Sequence, residues 1–418
     1  MSKVQPNFTS SNNNNNKHVL VVGATGLTGR PAVELFGKMG WNVTATSRRT
    51  LDYPVASTVT HIPCDLLNDE LCQKTFQSEH FHSCTHIIYC ALFENMNRTD
   101  NIDYLNNNDR MMRNVLGNII KVAKNFQHIQ FMQGGKAYGI TSFGIKSELT
   151  PYKERDERVV HENFYFLQED FIKELQKQTN GKWTYTIWRP PFVLGFAMGS
   201  PISVLTAIAI YAVVMKERGE PFRYSGSSSL VQEEFVDSRL LADAFYWASE
   251  NTDKSGNEAF NITNGDHLIW QSQFPKIAEY FKMECSEPSP FYLQEEMEKQ
   301  ENIDAWERIV KKHNLRPLTM DQIVGRSFQC ADFSWGMIRR RRKQRKDSIY
   351  EKDAKAEKSG DGSTTNASTW GGRVKIFAGM QMSTIKLRQA GFHGCVDTSD
   401  MCFRWFKELQ DAKILPVY

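Results

Sequence analysis

The sequence has little of what would tie a protein to a membrane, a metal ion or nucleic acid. Its longest apolar stretch, Ile202–Met215, has 14 residues, whereas a membrane-spanning helix needs about 20. The eight cysteines include no C-x-x-C pair and form no ligand set with the ten histidines, so no metal site is expected. A formal net charge of +3 is too small to indicate nucleic acid as a partner. We therefore predict no membrane span, no metal and no nucleic-acid partner, with Ile202–Met215 as a buried or pocket-lining helix.

The N-terminus also lacks the pattern of a secretory signal. Residues 1–17 are polar, include a run of asparagines from Asn12 to Asn16 and contain no apolar core. We predict that this segment is a disordered leader, that the thiols stay reduced, and that the protein is cytoplasmic. The sequence leaves both a monomer and a homodimer open.

What the chain does contain is an alternation of apolar strands and amphipathic helices. Helices are predicted at Pro31–Met39, Asn107–Lys124 and Glu162–Lys177. The predicted strands are His18–Val22, Trp41–Thr46, His61–Pro63, Thr85–Cys90, Ile129–Met132 and Trp183–Trp188. This pattern predicts an α/β protein with a Rossmann-type, doubly wound parallel sheet.

A glycine-rich turn follows the first predicted strand and precedes a helix. The segment from Gly23 to Gly29 reads GATGLTG and fits G-x-x-G-x-x-G. Gly23 and Gly26 let the backbone turn tightly and approach a pyrophosphate, and Gly29 lets the helix pack closely on the strand. The free N–H groups at the helix N-terminus attract the anion. We predict that this turn binds a dinucleotide, with Thr25 and Leu27 among the residues that contact it.

Two arginines indicate which dinucleotide is bound. Arg48 and Arg49 follow the second strand, where an acidic residue would bind the ribose hydroxyls of NAD. Paired guanidinium groups suit a 2′-phosphate instead, so NADPH is the predicted cofactor. Asp65, after the third strand, is either placed to meet the adenine or is a helix N-cap.

The chain therefore divides into two predicted regions after the leader. Residues 18–200 are predicted to form the NADPH-binding Rossmann domain, and residues 201–418 a smaller, mixed region that covers the substrate and includes the C-terminus. Residues 339–374 are predicted to be a disordered insertion, because a basic run at 339–346 is followed by polar, glycine-rich sequence. The basic run leaves a nuclear localisation signal open, although we favour a solvated charged loop.

The usual catalytic pair of short-chain dehydrogenases, Tyr-x-x-x-Lys, is absent, since no tyrosine is followed by lysine four residues later. Two other segments contain a lysine and a tyrosine that could replace this pair. Lys136 follows the fifth strand, at the carboxyl end of the sheet where ligands bind, and Tyr165 opens the next helix. Each residue also has a plain structural interpretation, Lys136 as a solvated loop lysine and Tyr165 as an aromatic wall residue.

Taken together, the motifs resemble those of the progesterone 5β-reductase and iridoid synthase-like enone reductases, an atypical short-chain dehydrogenase family. The resemblance spans most of the chain from Lys17 onward, apart from the basic insertion. The matching segments read GATGLTGR, SRR, CDL, MMRNVL, QGGKAYG, NFYFLQED, RPPFVLGF and NEAFNITNGD.

The resemblance implies NADPH-dependent reduction of a C=C bond conjugated to a carbonyl, in a small hydrophobic enone. It assigns Tyr165 to stabilising the enolate oxygen and Lys136 to supplying positive potential. It also places further residues at the cofactor, namely Leu66, Gln133, Pro190 and Val193.

The chain departs from the family at two positions, where Phe166 replaces a second tyrosine and Ala137 replaces a histidine. Two other functions stay open on the sequence. One is a non-catalytic, NADPH-binding regulatory protein, and the other is a different extended dehydrogenase reaction such as sugar-nucleotide epimerisation.

Overall fold

The computed structural model describes residues 17–94, 101–139, 151–159, 162–224, 232–289, 291–334 and 381–418. The predicted leader, apart from Lys17, and the predicted insertion at 339–374 with its basic run lie outside the described residues. Predictions about those segments therefore stay predictions.

Strands and helices alternate through the N-terminal part of the chain, as the apolar pattern predicts. In chain order, the strands are β1 (His18–Val22), β2 (Asn42–Ser47), β3 (Val59–Pro63), β4 (His86–Tyr89), β5 (His128–Met132), β6 (Thr184–Arg189), β7 (Phe192–Leu194), β8 (Gln232–Glu233), β9 (Phe235–Asp237), β10 (Glu258–Asn261) and β11 (Leu268–Ile269). The helices are α1 (Gly29–Lys38), α2 (Asp69–Phe76), α3 (Asn101–Val122), α4 (Phe164–Gln178), α5 (Val204–Glu217), α6 (Ser238–Glu250), α7 (Thr252–Ser255), α8 (Trp270–Tyr280), α9 (Leu293–Met297), α10 (Gln300–Lys312), α11 (Met320–Val324), α12 (Ser327–Ser334), α13 (Ile385–Gln389) and α14 (Thr398–Asp411).

Seven parallel strands form the main sheet, in the order β10-β6-β5-β4-β1-β2-β3. Alternate residues of β1 pack on opposite faces, because successive side chains of a strand point to opposite sides. Val19 and Val21 pack with α1 and α6, whereas Leu20 and Val22 pack with α2, α3 and α4. Helices therefore cover both faces, and the doubly wound α/β fold is confirmed.

A second apolar core lies C-terminal to most of the sheet and is built from helices. Its centre is α5, in which every residue from Val204 to Met215 is buried. Helices α8 to α12 and α14 contribute the surrounding side chains. Of the two alternatives predicted for Ile202–Met215, a buried or a pocket-lining helix, the structure shows the buried one, although the helix begins at Val204 rather than Ile202. Among the described residues no helix is long and apolar enough to span a membrane.

The segments that form the Rossmann layers and those that form the helical core alternate along the chain. Helix α6 packs on α1, and β10 pairs with β6 at the edge of the main sheet. The Rossmann layers therefore draw on residues beyond 200, the end of the predicted cofactor domain. This return brings Asn261, at the end of β10, to the same sheet edge as the residues that follow β5 and β6.

Candidate active site

The predicted site residues gather at the carboxyl edge of the parallel sheet. Strands β1 and β4 are neighbours in the sheet although two strands separate them in sequence, which marks the switch point where ligands bind in such folds. Gly23 leaves β1 with φ +84°, and a Cβ at this position would lie 2.9 Å from the backbone of Cys90 and Ala91 after β4. A side chain here would push apart the two strand ends at the switch point.

The glycine turn has the close approach that its sequence predicts. The N–H of Gly26 donates to the Gly23 carbonyl at 2.9 Å, and a Cβ on Gly29 would lie 2.2 Å from that same carbonyl oxygen. Helix α1 begins at Gly29, and the side chain of its N-cap residue, Thr28, makes no capping hydrogen bond. In the first turn the Arg30 N–H donates to the Gly26 carbonyl at 3.1 Å and Pro31 has no N–H, so α1 offers an anion mainly the positive end of its dipole, which fits a dinucleotide pyrophosphate.

The other two predicted residues of the turn take different positions. Thr25 is half-buried at the turn, whereas Leu27 is buried. The Leu27 side chain lies 3.4 Å from where a Cβ on Gly195 would stand. Leu27 therefore joins the turn to the segment after β7.

Both arginines predicted to bind the 2′-phosphate are exposed at the end of β2. Arg49 Nη2 donates to the Met198 carbonyl at 2.9 Å, and the Ser47 hydroxyl donates to the Arg49 carbonyl at 2.6 Å. Arg49 thus also holds the loop after β7, whereas the Arg48 side chain faces solvent. Two guanidinium groups next to the glycine turn fit a phosphorylated ribose.

The residues after β3 decide whether Asp65 is the helix N-cap, one of the two roles predicted for it. The N-cap of α2 is Asn68, whose Oδ1 accepts from the Leu71 N–H at 3.0 Å. Asp65 is exposed, and its Oδ1 accepts from the Leu67 N–H at 3.1 Å in a local turn. Asp65 is therefore not the helix cap, and Leu66 beside it is buried.

Lys136 lies in a short 3-10 turn, Gly135–Tyr138, that continues from β5. Its Nζ donates to the hydroxyl of Tyr104 at 2.9 Å. Its carbonyl accepts a hydrogen bond from Asn163 Nδ2 at 3.0 Å. The lysine is therefore held by two other segments, α3 and the start of α4.

Tyr165 stands in the first turn of α4 and faces the same loop. Its N–H donates to Oδ1 of the N-cap residue Asn163 at 3.0 Å, and its hydroxyl lies 3.5 Å from where a Cβ on Gly134 would stand. Burial raises the pKa of the Tyr165 phenol, and the Glu94 carboxylate raises it further. The phenol therefore stays protonated near neutral pH and can donate a hydrogen bond.

A buried polar network holds together the segments that carry Lys136 and Tyr165. Gln133, predicted at the cofactor, donates from Nε2 to Glu169 at 2.9 Å and accepts from Arg189 Nε at 2.9 Å. Arg189 also donates to the Tyr138 hydroxyl at 3.3 Å, and that hydroxyl donates to Asn261 Oδ1 at 2.7 Å. The network ties the ends of β5, β6 and β10 to α4.

Glu169 carries the charge of this network. Burial alone would raise its pKa, but hydrogen bonds from Lys173, Gln133 and Arg158 outweigh burial and lower the pKa. The carboxylate is therefore ionised and fully partnered. Although NFYFLQED contains Glu169, only the structure shows that it acts as a support.

The last two predicted cofactor residues lie beyond β6. Pro190 is buried, and its carbonyl oxygen stands 3.4 Å from where a Cβ on Gly134 would be. Val193 pairs with Val236 in the two-stranded ladder of β7 and β9. Pro190 thus borders the loop that carries Lys136. Val193 lies in β7, the strand that leads to the helical core.

Three further residues near the site, Tyr104, Glu94 and Cys330, belong to no motif in the sequence. Tyr104 contacts Lys136 as described, Glu94 acts electrostatically on Tyr165, and burial raises the pKa of the Cys330 thiol in α12 to about 12, with Glu94 adding to this and Lys136 opposing it. A neutral thiol is a poor nucleophile. Within the described ranges no group of three or more His, Cys, Asp or Glu side chains could hold a metal ion.

Comparison with known proteins agrees with the resemblance that the motifs indicate. The sequence model of the NAD dependent epimerase/dehydratase family matches residues 19–263. The (S)-8-oxocitronellyl enol synthase of Antirrhinum majus is 29% identical over 333 residues, which cover 75% of this chain and 81% of that protein. The 3-oxo-Delta(4,5)-steroid 5-beta-reductase of Arabidopsis thaliana is 28% identical over 322 residues, covering 73% and 79%. The resemblance to this group of reductases is confirmed.

Solved structures support the fold over almost the full length. A UDP-glucose-4-epimerase from Stenotrophomonas maltophila matches with a TM-score of 0.55 at 12% identity, covering 95% of this chain and 99% of that one. The Bordetella bronchiseptica enzyme WbmG matches with a TM-score of 0.54 at 13% identity, covering 96% and 97%. At these identities the likeness establishes the fold alone.

Proposed function

Since the chain belongs to the NAD dependent epimerase/dehydratase family, we propose that it uses NADPH to reduce the C=C bond of an α,β-unsaturated carbonyl compound. The relatives named above support this substrate class, because a 3-oxo-Delta(4,5)-steroid carries a carbonyl conjugated to a C=C bond. The proposed substrate is a small hydrophobic enone.

The chain's own residues account for cofactor binding. The backbone of the Gly23–Gly29 turn and the N-terminus of α1 would hold the pyrophosphate, and Arg48 with Arg49 would hold the 2′-phosphate. Asp65 and Leu66 would border the adenine, whereas Gln133, Pro190 and Val193 would border the nicotinamide end. When bound, NADPH supplies the hydride that the enone accepts at its β-carbon.

Tyr165 and Lys136 act on the carbonyl end of the enone. As the β-carbon is reduced, negative charge develops on the carbonyl oxygen. The Tyr165 hydroxyl donates a hydrogen bond to that oxygen, and the Lys136 ammonium supplies positive potential beside it. Such preorganised donors are worth about 100- to 1,000-fold in kcat.

One observation carries the proposal: the side chain of Asn163 binds both candidate residues. Its Oδ1 accepts from the Tyr165 N–H, and its Nδ2 donates to the Lys136 carbonyl. A single asparagine thereby fixes the start of α4 against the loop after β5. Residues 29 positions apart in sequence are held at one place in the crevice.

The contacts of Phe166 support the first aromatic hydroxyl of the motif as the working one. The Arg158 guanidinium lies 4.9 Å from the centre of the Phe166 ring, and Arg158 itself pairs with Glu169 and Asp170. Position 166 therefore packs under Arg158 and its ion pairs, whereas Tyr165 faces Gly134. A tyrosine at 166 would not be needed at the substrate oxygen.

The test is NADPH oxidation by the full chain with a panel of small enones, in the wild type and in Tyr165→Phe. We expect kcat to fall about 100-fold or more while NADPH affinity is retained. Tyr280→Phe, in α8 of the helical core, is the matched control and should leave kcat unchanged. Equal rates in wild type and Tyr165→Phe would remove Tyr165 from the mechanism. Tight NADPH binding without turnover of any enone would favour the non-catalytic regulatory protein instead.

A further inference from the structure

A second phenol stands beside Lys136. The Tyr104 hydroxyl oxygen accepts the hydrogen bond from Lys136 Nζ at 2.9 Å, and Nζ lies 5.1 Å from the centre of the Tyr104 ring. Tyr104 belongs to the first turns of α3, and Lys136 to the turn after β5. Helices α3 and α4 pack against each other on one face of the sheet, and this packing brings the start of α3 to the site.

The Tyr104 ring is fixed by aromatic packing on the motif that carries Tyr165. Its ring meets Phe164 edge to face, with centroids 5.2 Å apart. Phe164 in turn meets the Tyr165 ring at 4.5 Å. The rings of Tyr104 and Tyr165 therefore both contact Phe164. Lys136 donates its hydrogen bond to the Tyr104 hydroxyl.

The backbone around Tyr104 is equally well held. Asn108 is fully buried, and its Nδ2 donates to the Tyr104 carbonyl at 2.8 Å and to the Phe93 carbonyl at 2.9 Å. Gln168 of α4 donates to the Asn108 carbonyl at 2.8 Å. The start of α3 is thus tied both to the loop after β4 and to the helix of Tyr165.

We propose that Tyr104 is a third catalytic residue: the acid that protonates the α-carbon of the enolate, with Lys136 as its cationic partner. This inference rests on the proposed enone reduction. Reduction at the β-carbon leaves an enolate that must gain one proton. The enolate electron pair forms the new C–H bond, the Tyr104 O–H bond breaks, and the negative charge remains on the phenolate oxygen. Water then returns a proton to that oxygen.

The two phenols suit these two tasks because their neighbours differ. Burial of the Tyr165 phenol, and after it the nearby Glu94 carboxylate, raise its pKa and keep its proton in place. Tyr104 accepts a hydrogen bond from an ammonium, and a cation beside a phenol stabilises its phenolate form. The missing Tyr-x-x-x-Lys motif is thereby replaced by a tyrosine and a lysine from separate elements.

The first test reads the face on which the α-carbon is protonated. The full chain, with NADPH and 2-methyl-2-cyclohexen-1-one, would give 2-methylcyclohexanone whose α-carbon records that face. We expect one enantiomer in excess from the wild type. We expect a near-racemic product from Tyr104→Phe, with kcat lowered about 100-fold as for loss of a general acid. Tyr280→Phe is the control and should match the wild type.

The outcomes separate this inference from the proposed function. If the wild type reduces no enone, both fall. If the wild type reduces the probe but gives a racemic product, or if Tyr104→Phe keeps the same rate and enantiomeric excess, Tyr104 is not the acid and the enone reductase stands.

A second readout needs neither cofactor nor turnover. Tyrosinate absorbance near 295 nm is followed against pH in the cofactor-free wild type, Tyr104→Phe and Lys136→Met, with circular dichroism to confirm that each chain is folded. Because Lys136 donates to the Tyr104 hydroxyl, we expect the titration of Tyr104→Phe to lack one tyrosine that ionises in the wild type, and that tyrosine to ionise at higher pH in Lys136→Met. Superimposable curves for all three proteins would overturn the acid pair.

Discussion

The Rossmann layers and the C-terminal helical core stabilise the same chain in different ways. In the Rossmann layers, short apolar strands are covered by amphipathic helices, and the polar chemistry is concentrated where the strands end. In the helical core, α5 is buried around its whole circumference, and the helices that cover it come from distant parts of the chain. Changes in the first region should therefore alter cofactor binding, whereas changes in the second should alter stability.

The largest effect is expected at the glycine turn. Gly29→Ala would place a Cβ 2.2 Å from the Gly23 carbonyl oxygen, so the turn or α1 must move. We expect NADPH affinity to fall by roughly 100-fold or more, measured by fluorescence titration. Gly117→Ala is the matched control, since a Cβ there meets only the Phe171 ring at 3.9 Å. Equal affinities for NADPH in the two variants would mean that the turn does not hold the cofactor.

The second-largest effect is expected in the helical core, on stability rather than on cofactor binding. Ile208→Ala in α5 removes a fully buried side chain from the helical core and should lower the free energy of unfolding by about 2–5 kcal/mol. Ile385→Ala, at a position 61% exposed, should change it by less than about 0.5 kcal/mol. Denaturant unfolding measures both. Loss of NADPH affinity in folded Ile208→Ala would break the proposed division between the two regions.

A smaller effect is expected from the phosphate clamp. Arg48→Ala removes a guanidinium with an exposed side chain at the end of β2, and NADPH affinity should fall about ten- to a hundredfold. NADH lacks the 2′-phosphate and serves as the internal control, with its affinity nearly unchanged. An equal loss for both nucleotides would mean that Arg48 does not read the phosphate.

The last effect depends on pH, is small near neutral pH, and lies at the opposite, amino-terminal edge of the sheet. Burial lowers the pKa of His128 to about 3, so the unfolded chain gains a proton near pH 6.5 while the folded chain does not. The stability is fully present above pH 6.5 and falls as the pH drops from 6.5 towards 3, by at most about 1.4 kcal/mol per pH unit for this group. His128→Gln should make this slope shallower in denaturant unfolding, whereas His393→Gln, on the surface, should not. An unchanged slope in His128→Gln would contradict the buried neutral state.

Much of the Rossmann region could be predicted because its signals are local. The glycine turn, the arginines after β2 and the positions of Lys136 and Tyr165 each follow from a few adjacent residues and their place after a strand. The fold then brings such segments to one sheet edge, as parallel strands require. The pairing of β10 with β6 at the edge of the main sheet has no such local signal.

The remainder depends on contacts between distant residues, which no short pattern encodes. Tyr104 reaches Lys136 across 32 positions, and Gln133 meets Arg189 across 56. Nothing in the residues around Tyr104 distinguishes it from an ordinary helix residue. The helical core shows the same limit, because the uniform apolar sequence of α5 predicts burial but not the partners that bury it.

The most direct measurement follows deuterium from NADPH labelled at the nicotinamide C4 into the product of a small cyclic enone. Reduction of the C=C bond predicts deuterium at the former β-carbon of a saturated ketone, with the carbonyl intact. Deuterium on the carbonyl carbon of an allylic alcohol would contradict it, as would an enone recovered unlabelled and unreduced.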